Sequence, residues 1–159
     1  MRIVVLSAAF TTGVVAGAFV MGTFGMRSAA AALEPGSQLV LRQHLIRRLS
    51  KVMPVLMLCA IATTGAALVF SPPSADLTSV SLLPRETALR GLAFGLSLAM
   101  LVQTITVNSP INNLNLFLGW SAETLPADWQ KYVRRWNTAD SMRLTMGLIA
   151  FGSTLAGGV

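Results

Sequence analysis

Residues 3–26, from Ile3 to Met26, hold no acidic, basic or histidine side chain, and Arg2 and Arg27 bracket them. A helix needs about 20 apolar residues to cross a hydrocarbon core of about 30 Å, so this run is long enough to span. Three more runs follow. Residues 52–70 begin after Lys51 and end at the Ser71-Pro72-Pro73 break, residues 91–107 stop at polar Asn108 and Pro110, and residues 144–159 form the shortest run. Lipid offers the backbone no hydrogen-bond partners, so spans of this length must be helical. The expected fold is all-α. It is an integral membrane four-helix bundle in a single domain, 1–159, with spans at about 3–26, 52–70, 91–107 and 144–159.

Composition agrees. The chain is 53% hydrophobic and 11% charged, where soluble domains carry about 25% charged residues. A net charge of +6 would suit a nucleic-acid binder, but the charges fall in short stretches between apolar runs, the pattern of membrane-flanking loops. No nucleic-acid partner is expected, and membrane lipid is. A secretory signal is the alternative for residues 1–32, given the small tract Ser28 to Ala32. The apolar run is 24 residues against about 7–15 for such a signal, so a retained helix is the better reading. One Cys (Cys59) and one His (His44) rule out an internal disulfide, a CxxC pair and a zinc cluster from this chain alone. No metal and no cofactor are expected.

Nine of the twelve Lys and Arg residues lie in 27–51 and 108–143, and three (Arg2, Arg85, Arg90) lie on the opposite side. The positive-inside rule puts the two basic loops in the cytoplasm and both termini outside. Gly13-x-x-x-Gly17, Ala18-x-x-x-Gly22 and Gly91-x-x-x-Gly95-x-x-x-Ala99 are small-residue faces suited to close helix packing, within the chain or in a homo-oligomer or larger membrane complex. Packing inside the chain is the favoured reading.

Chemistry must sit in the loops, because no ionisable group falls deep inside a span. Thr11, Thr12, Thr63, Thr64, Thr104 and Thr106 are expected to bond their own helix carbonyls. Gln103 has more demand than one carbonyl satisfies. Residues 38–53 read as an amphipathic helix in the first loop, with Leu41, Leu45, Leu49 and Val52 on one face and His44, Arg47, Arg48 and Lys51 on the other. Its cationic face suits anionic headgroups, while His44 is also a candidate proton acceptor. In 107–115, Asn108, Asn112, Asn113 and Asn115 surround Pro110, which should break the helix at Ser109. Those amides are either helix caps or the wall of a polar pocket. A second amphipathic helix is expected in the third loop after Pro126, with Trp129, Tyr132 and Trp136 on the side that also carries Asp140 and Arg143. An interfacial aromatic belt explains the rings. The acid and the arginine form an i, i+3 pair.

The run Val107-Asn108-Ser109-Pro110-Ile111-Asn112-Asn113, then Trp129, Arg135-Trp136 and Arg143 leading into a last apolar helix, resembles the anthrone oxygenase-like family of small four-helix membrane proteins, many of them bacterial and of unknown function. The resemblance implies a four-helix bundle, residence in a bacterial inner (plasma) membrane, and cofactor-independent oxidation of an apolar aromatic, anthrone-like substrate by dioxygen. Carried onto this chain, it makes Asn108, Asn112 and Asn113 the amide donors, Trp129 and Trp136 the stacking walls and Arg143 an anion stabiliser. The family often has a histidine where Asp140 stands, so the implied base is either Asp140 or the distant His44. A non-catalytic accessory subunit of a larger membrane complex is the alternative function.

Overall fold

The structure is a computed structural model and describes residues 2–71, 84–112 and 117–158. Four helices account for most of them: α1 Arg2–Ala31, α2 Pro35–Phe70, α3 Arg85–Ile111 and α4 Trp129–Ala156. The first three are long and apolar enough to cross a membrane. At 28 residues α4 is long enough too, about 42 Å at 1.5 Å per residue. Its first half is too polar for it to count as a fourth span by composition.

Each helix is longer than its charge-free run. The run 52–70 is the second half of α2, which is continuous from Pro35, so the first loop holds no separate interfacial helix. Likewise 129–143 is not detached but forms the start of α4. The basic residues that marked loop boundaries lie within the helices, some exposed (Arg47, Arg48, Lys51) and some buried (Arg42, Arg90, Arg143), and nothing in their φ/ψ preference stops a helix there.

Neighbouring helices pack in a ring, α1 on α2, α2 on α3, α3 on α4 and α4 back on α1. They alternate in direction. At one end, Arg90 near the start of α3 donates from Nε to the Gly157 carbonyl (2.8 Å) past the end of α4 and from Nη1 to the Ser71 carbonyl past the end of α2. At the other end, Arg27 donates to the Asn137 carbonyl (2.6 Å), and Gln43 donates to the carbonyls of Phe117 and Trp120 (2.8 Å each). Both basic stretches therefore share one end of the bundle.

One core cluster, with Val15, Phe19, Met57, Ala60, Met100 and Leu144, fills the middle. A second, with Leu39, Ile46, Ile111, Phe117, Trp129 and Val133, fills the basic end. The threonines behave as expected. Thr12, Thr64, Thr104 and Thr106 each bond a carbonyl four residues back, at 2.6 to 2.9 Å. Thr11 and Thr63 also join hydroxyl to hydroxyl across α1 and α2 (2.7 Å). Gln103 donates to the Ala139 carbonyl (3.1 Å), tying α3 to α4.

The small-residue faces divide. A Cβ on Gly13 would stand 3.1 Å from the Phe151 ring, and one on Gly22 would stand 3.3 Å from Asp140 Oδ2. These two glycines admit close neighbours inside the bundle. Gly17, Gly91 and Gly95 have nothing within 4 Å of that position among the described residues, so the glycines of the α3 stripe admit no close neighbour there.

Two turns depart from α geometry. Met21–Met26 in α1 and Thr104–Asn108 in α3 are π-helical, each absorbing an extra residue. In the second, the Ser109 N–H reaches back five residues to the Thr104 carbonyl. The expected break at Ser109–Pro110 does not occur. The helix runs on to Ile111, because the wider turn relieves the clash between a proline ring and the carbonyl four residues before it.

Candidate functional site

Both π-helical turns face the same space. Between the helices at the basic end lies a cavity of about 670 Å³, within the range of about 300–1,000 Å³ that holds small organic ligands. Apolar side chains from all four helices, among them Phe19, Leu45, Met53 and Leu101, share its wall with polar groups, the charged ones coming from α1, α2 and α4. Leu49 and Ser50 of α2 and Ile105 and Ser109 of α3 line it and are themselves exposed, so it opens along the α2–α3 seam. Pro54, also in the wall, removes the helical bond that the Ser50 carbonyl would accept.

Asp140 and Arg143 lie one turn apart on α4, with relative exposures of 5% and 7%. Arg143 Nη2 donates to Asp140 Oδ1 (2.7 Å), and Nη1 donates to Thr104 Oγ1 (3.3 Å). The guanidinium carbon stands 4.9 Å from the Phe19 ring centroid. Thr23 Oγ1 donates to Asp140 Oδ2 (3.3 Å) from the π-helical turn of α1. This is a buried, hydrogen-bonded ion pair rather than a loose surface contact.

Asn112 Oδ1 accepts a hydrogen bond from Trp136 Nε1 (3.2 Å), joining the end of α3 to α4. Asn112 follows a helix end instead of opening a helix. Asn108 is 1% exposed, and neither its Nδ2 nor its Oδ1 has a partner among the described residues. A buried polar group left unmatched costs about 1–3 kcal/mol, so a cap is not what this side chain supplies.

The cavity thus brings together Asn108, Asn112, Trp136, Asp140 and Arg143 of the residues singled out in the sequence. Two of the other three lie outside its wall. His44 is exposed and lies outside the wall, because the stripe of α2 that turns inward runs through Leu39, Arg42 and Ile46 instead. Trp129 is buried in the neighbouring core with Leu39 and Phe117. Asn113 lies outside the described residues. The aromatic rings form no outward belt. Tyr132 meets Trp120 edge to face, with centroids 5.4 Å apart.

Sequence reasoning missed Arg42 and Arg27. Arg42 is 5% exposed, and its guanidinium carbon stands 5.1 Å from the Trp136 ring centroid and 6.0 Å from that of Phe117. Its place three residues after Leu39 and four before Ile46 was the available signal. Arg27 donates from Nη2 to the Asn137 carbonyl and to Ser141 Oγ (2.9 Å). Three guanidiniums and one carboxylate therefore line the polar end. Among the described residues, no three His, Cys, Asp or Glu side chains come together as metal ligands do.

The anthrone oxygenase family model matches residues 43–153, which is 111 of the 159 residues. The chain belongs to the anthrone oxygenase family. The matched region takes in α2 from Gln43, all of α3 and α4 to Ser153, and with them every cavity residue just described except those of α1 and the start of α2. No curated protein and no solved structure matches the chain.

Proposed function

We propose that this member of the anthrone oxygenase family is a cofactor-independent membrane oxygenase that oxidises an apolar, anthrone-like aromatic with dioxygen. The net reaction converts an anthrone and O2 to an anthraquinone and water. A base takes a proton from the acidic ring CH2, the resulting electron-rich enolate gives electrons to dioxygen, and loss of water from the oxygenated carbon leaves the new carbonyl. The observation that carries this reading is the cavity between the helices whose polar end holds Asp140, Arg143 and, among the described residues, an unpartnered Asn108 beside Trp136. Donors fixed in a water-poor cleft stabilise a developing enolate oxygen far better than solvent does.

In this scheme Asn108 Nδ2 and Arg143 face the enolate oxygen and Trp136 stacks on the ring. Asp140 is the better candidate base, since His44 lies outside the cavity wall. Each Asp140 oxygen accepts one protein hydrogen bond and keeps lone-pair capacity for another. An open cavity, where an accessory subunit would have packed side chains, supports an enzyme over a scaffold. By the distribution of Lys and Arg, the cavity end faces the cytoplasm of a bacterial inner membrane.

The test is dioxygen uptake by purified protein supplied with an anthrone. Uptake is expected, and it should drop about 100-fold or more in Asp140→Asn, the usual scale for losing a positioned base, while His44→Ala leaves it unchanged. Absence of uptake above the spontaneous rate would refute the reading.

A further inference from the structure

Arg42 plays no part in the scheme above, yet it is the least matched charge in the cavity. Its Nε has no hydrogen-bond partner, and no carboxylate lies within ion-pair distance of it among the described residues. The charged groups acting on it are Arg27 and Asp140. Arg27 repels it, and Asp140 is already held by Arg143 and Thr23. What Arg42 does have is the company of two rings, its guanidinium carbon standing 5.1 Å from the Trp136 centroid and 6.0 Å from that of Phe117. Burying a cation is costly unless a counter-charge repays the lost hydration. The polar end carries three cations against one anion, so among the described residues that counter-charge is missing.

We infer that Arg42 is a specificity-determining residue that selects substrates bearing an ionised carboxylate on the aromatic body. A carboxylate is planar and takes two parallel N–H donors from a guanidinium, and Arg42, held between these rings in the cavity wall, has such donors to offer. With its acid group there, a ring system lies along Trp136, and its reacting carbon remains available to Asp140 and Asn108. This deepens the oxygenase reading and takes the aromatic body of the ligand from it. The carboxylate is argued from Arg42 alone.

The experiment is a binding measurement on the full chain in a zwitterionic detergent, using anthracene-2-carboxylate and its neutral counterpart 2-(hydroxymethyl)anthracene. Energy transfer from tryptophan reports the Kd of each. The ratio of variant to wild type cancels the difference in micelle partitioning. Arg42→Gln should weaken the acid about tenfold or more (about 1.4 kcal/mol) and leave the alcohol unchanged, and Arg42→Lys should recover part of the loss. Arg42→Met, which removes the buried charge altogether, guards against a misfolded Gln variant and should behave as Gln does. Equal responses of acid and alcohol would overturn the inference. So would displacement of the probe by palmitate as readily as by unlabelled aromatic acid, which would make the site one for lipid acyl chains. Because no turnover is read, acid selectivity without oxygen uptake would remove the oxygenase reading alone, and uptake without selectivity would remove this one alone.

Discussion

The Asp140–Arg143 pair illustrates how one side chain can be indispensable without being a net stabiliser. The two are bonded to each other and to Thr104 and Thr23, and removing one leaves the other buried and uncompensated. Asp140→Asn should therefore cost about 3–5 kcal/mol, seen as a lowered Tm in a fixed detergent. Arg42 predicts the opposite sign. Arg42→Met should raise the Tm of the ligand-free protein, since it removes a buried cation that no protein carboxylate matches. At this scale the sequence was half readable. The i, i+3 spacing of Asp140 and Arg143 gave their pairing, and the asparagine-rich segment gave Asn108 and Asn112. Arg42 was hidden because it stands in a basic stretch with Arg47, Arg48 and Lys51, where each cation looks like the next. Which stripe of a helix turns inward is decided by its neighbours and not by its own composition.

Among the elements, glycine content separates into places where it is needed and places where it is not. Gly13→Leu should destabilise by about 1–3 kcal/mol, the usual cost of overpacking, because the Phe151 ring already stands 3.1 Å from where its Cβ would be. Gly95→Ala should stabilise by about 0.5–1 kcal/mol through helix propensity, as nothing lies within 4 Å of that Cβ position. Thermal melts of the two variants side by side decide it. The π-helical turn in α3 makes a sharper prediction. Deleting Thr106 lets that turn close to ordinary α geometry with the flanking residues still on their faces. Deleting Leu98, in regular helix, turns one side of α3 by about 100° against the other. The first should purify folded, with wild-type helicity by circular dichroism, and the second should not. Charge-free runs revealed that helices exist and how many there are, but not their length. Continuity through 35–51 and 129–143 goes with bonds to distant segments, Gln43 to Phe117 and Trp120 and Asn137 to Arg27, which no local pattern encodes.

Over the whole molecule, the ring of four alternating helices leaves its polar end half sealed. Arg27, Arg42, Asp140 and Arg143 sit beneath the second core cluster, and the seam between Leu49 and Ile105 stays open to the side. A compound dissolved among acyl chains would reach Trp136 through that seam without first returning to water. Kinetics should follow accordingly. At fixed total substrate, adding inert lipid to the vesicles should slow turnover in proportion. The apparent KM should then hold constant as a mole fraction of the bilayer and drift when quoted in molar units.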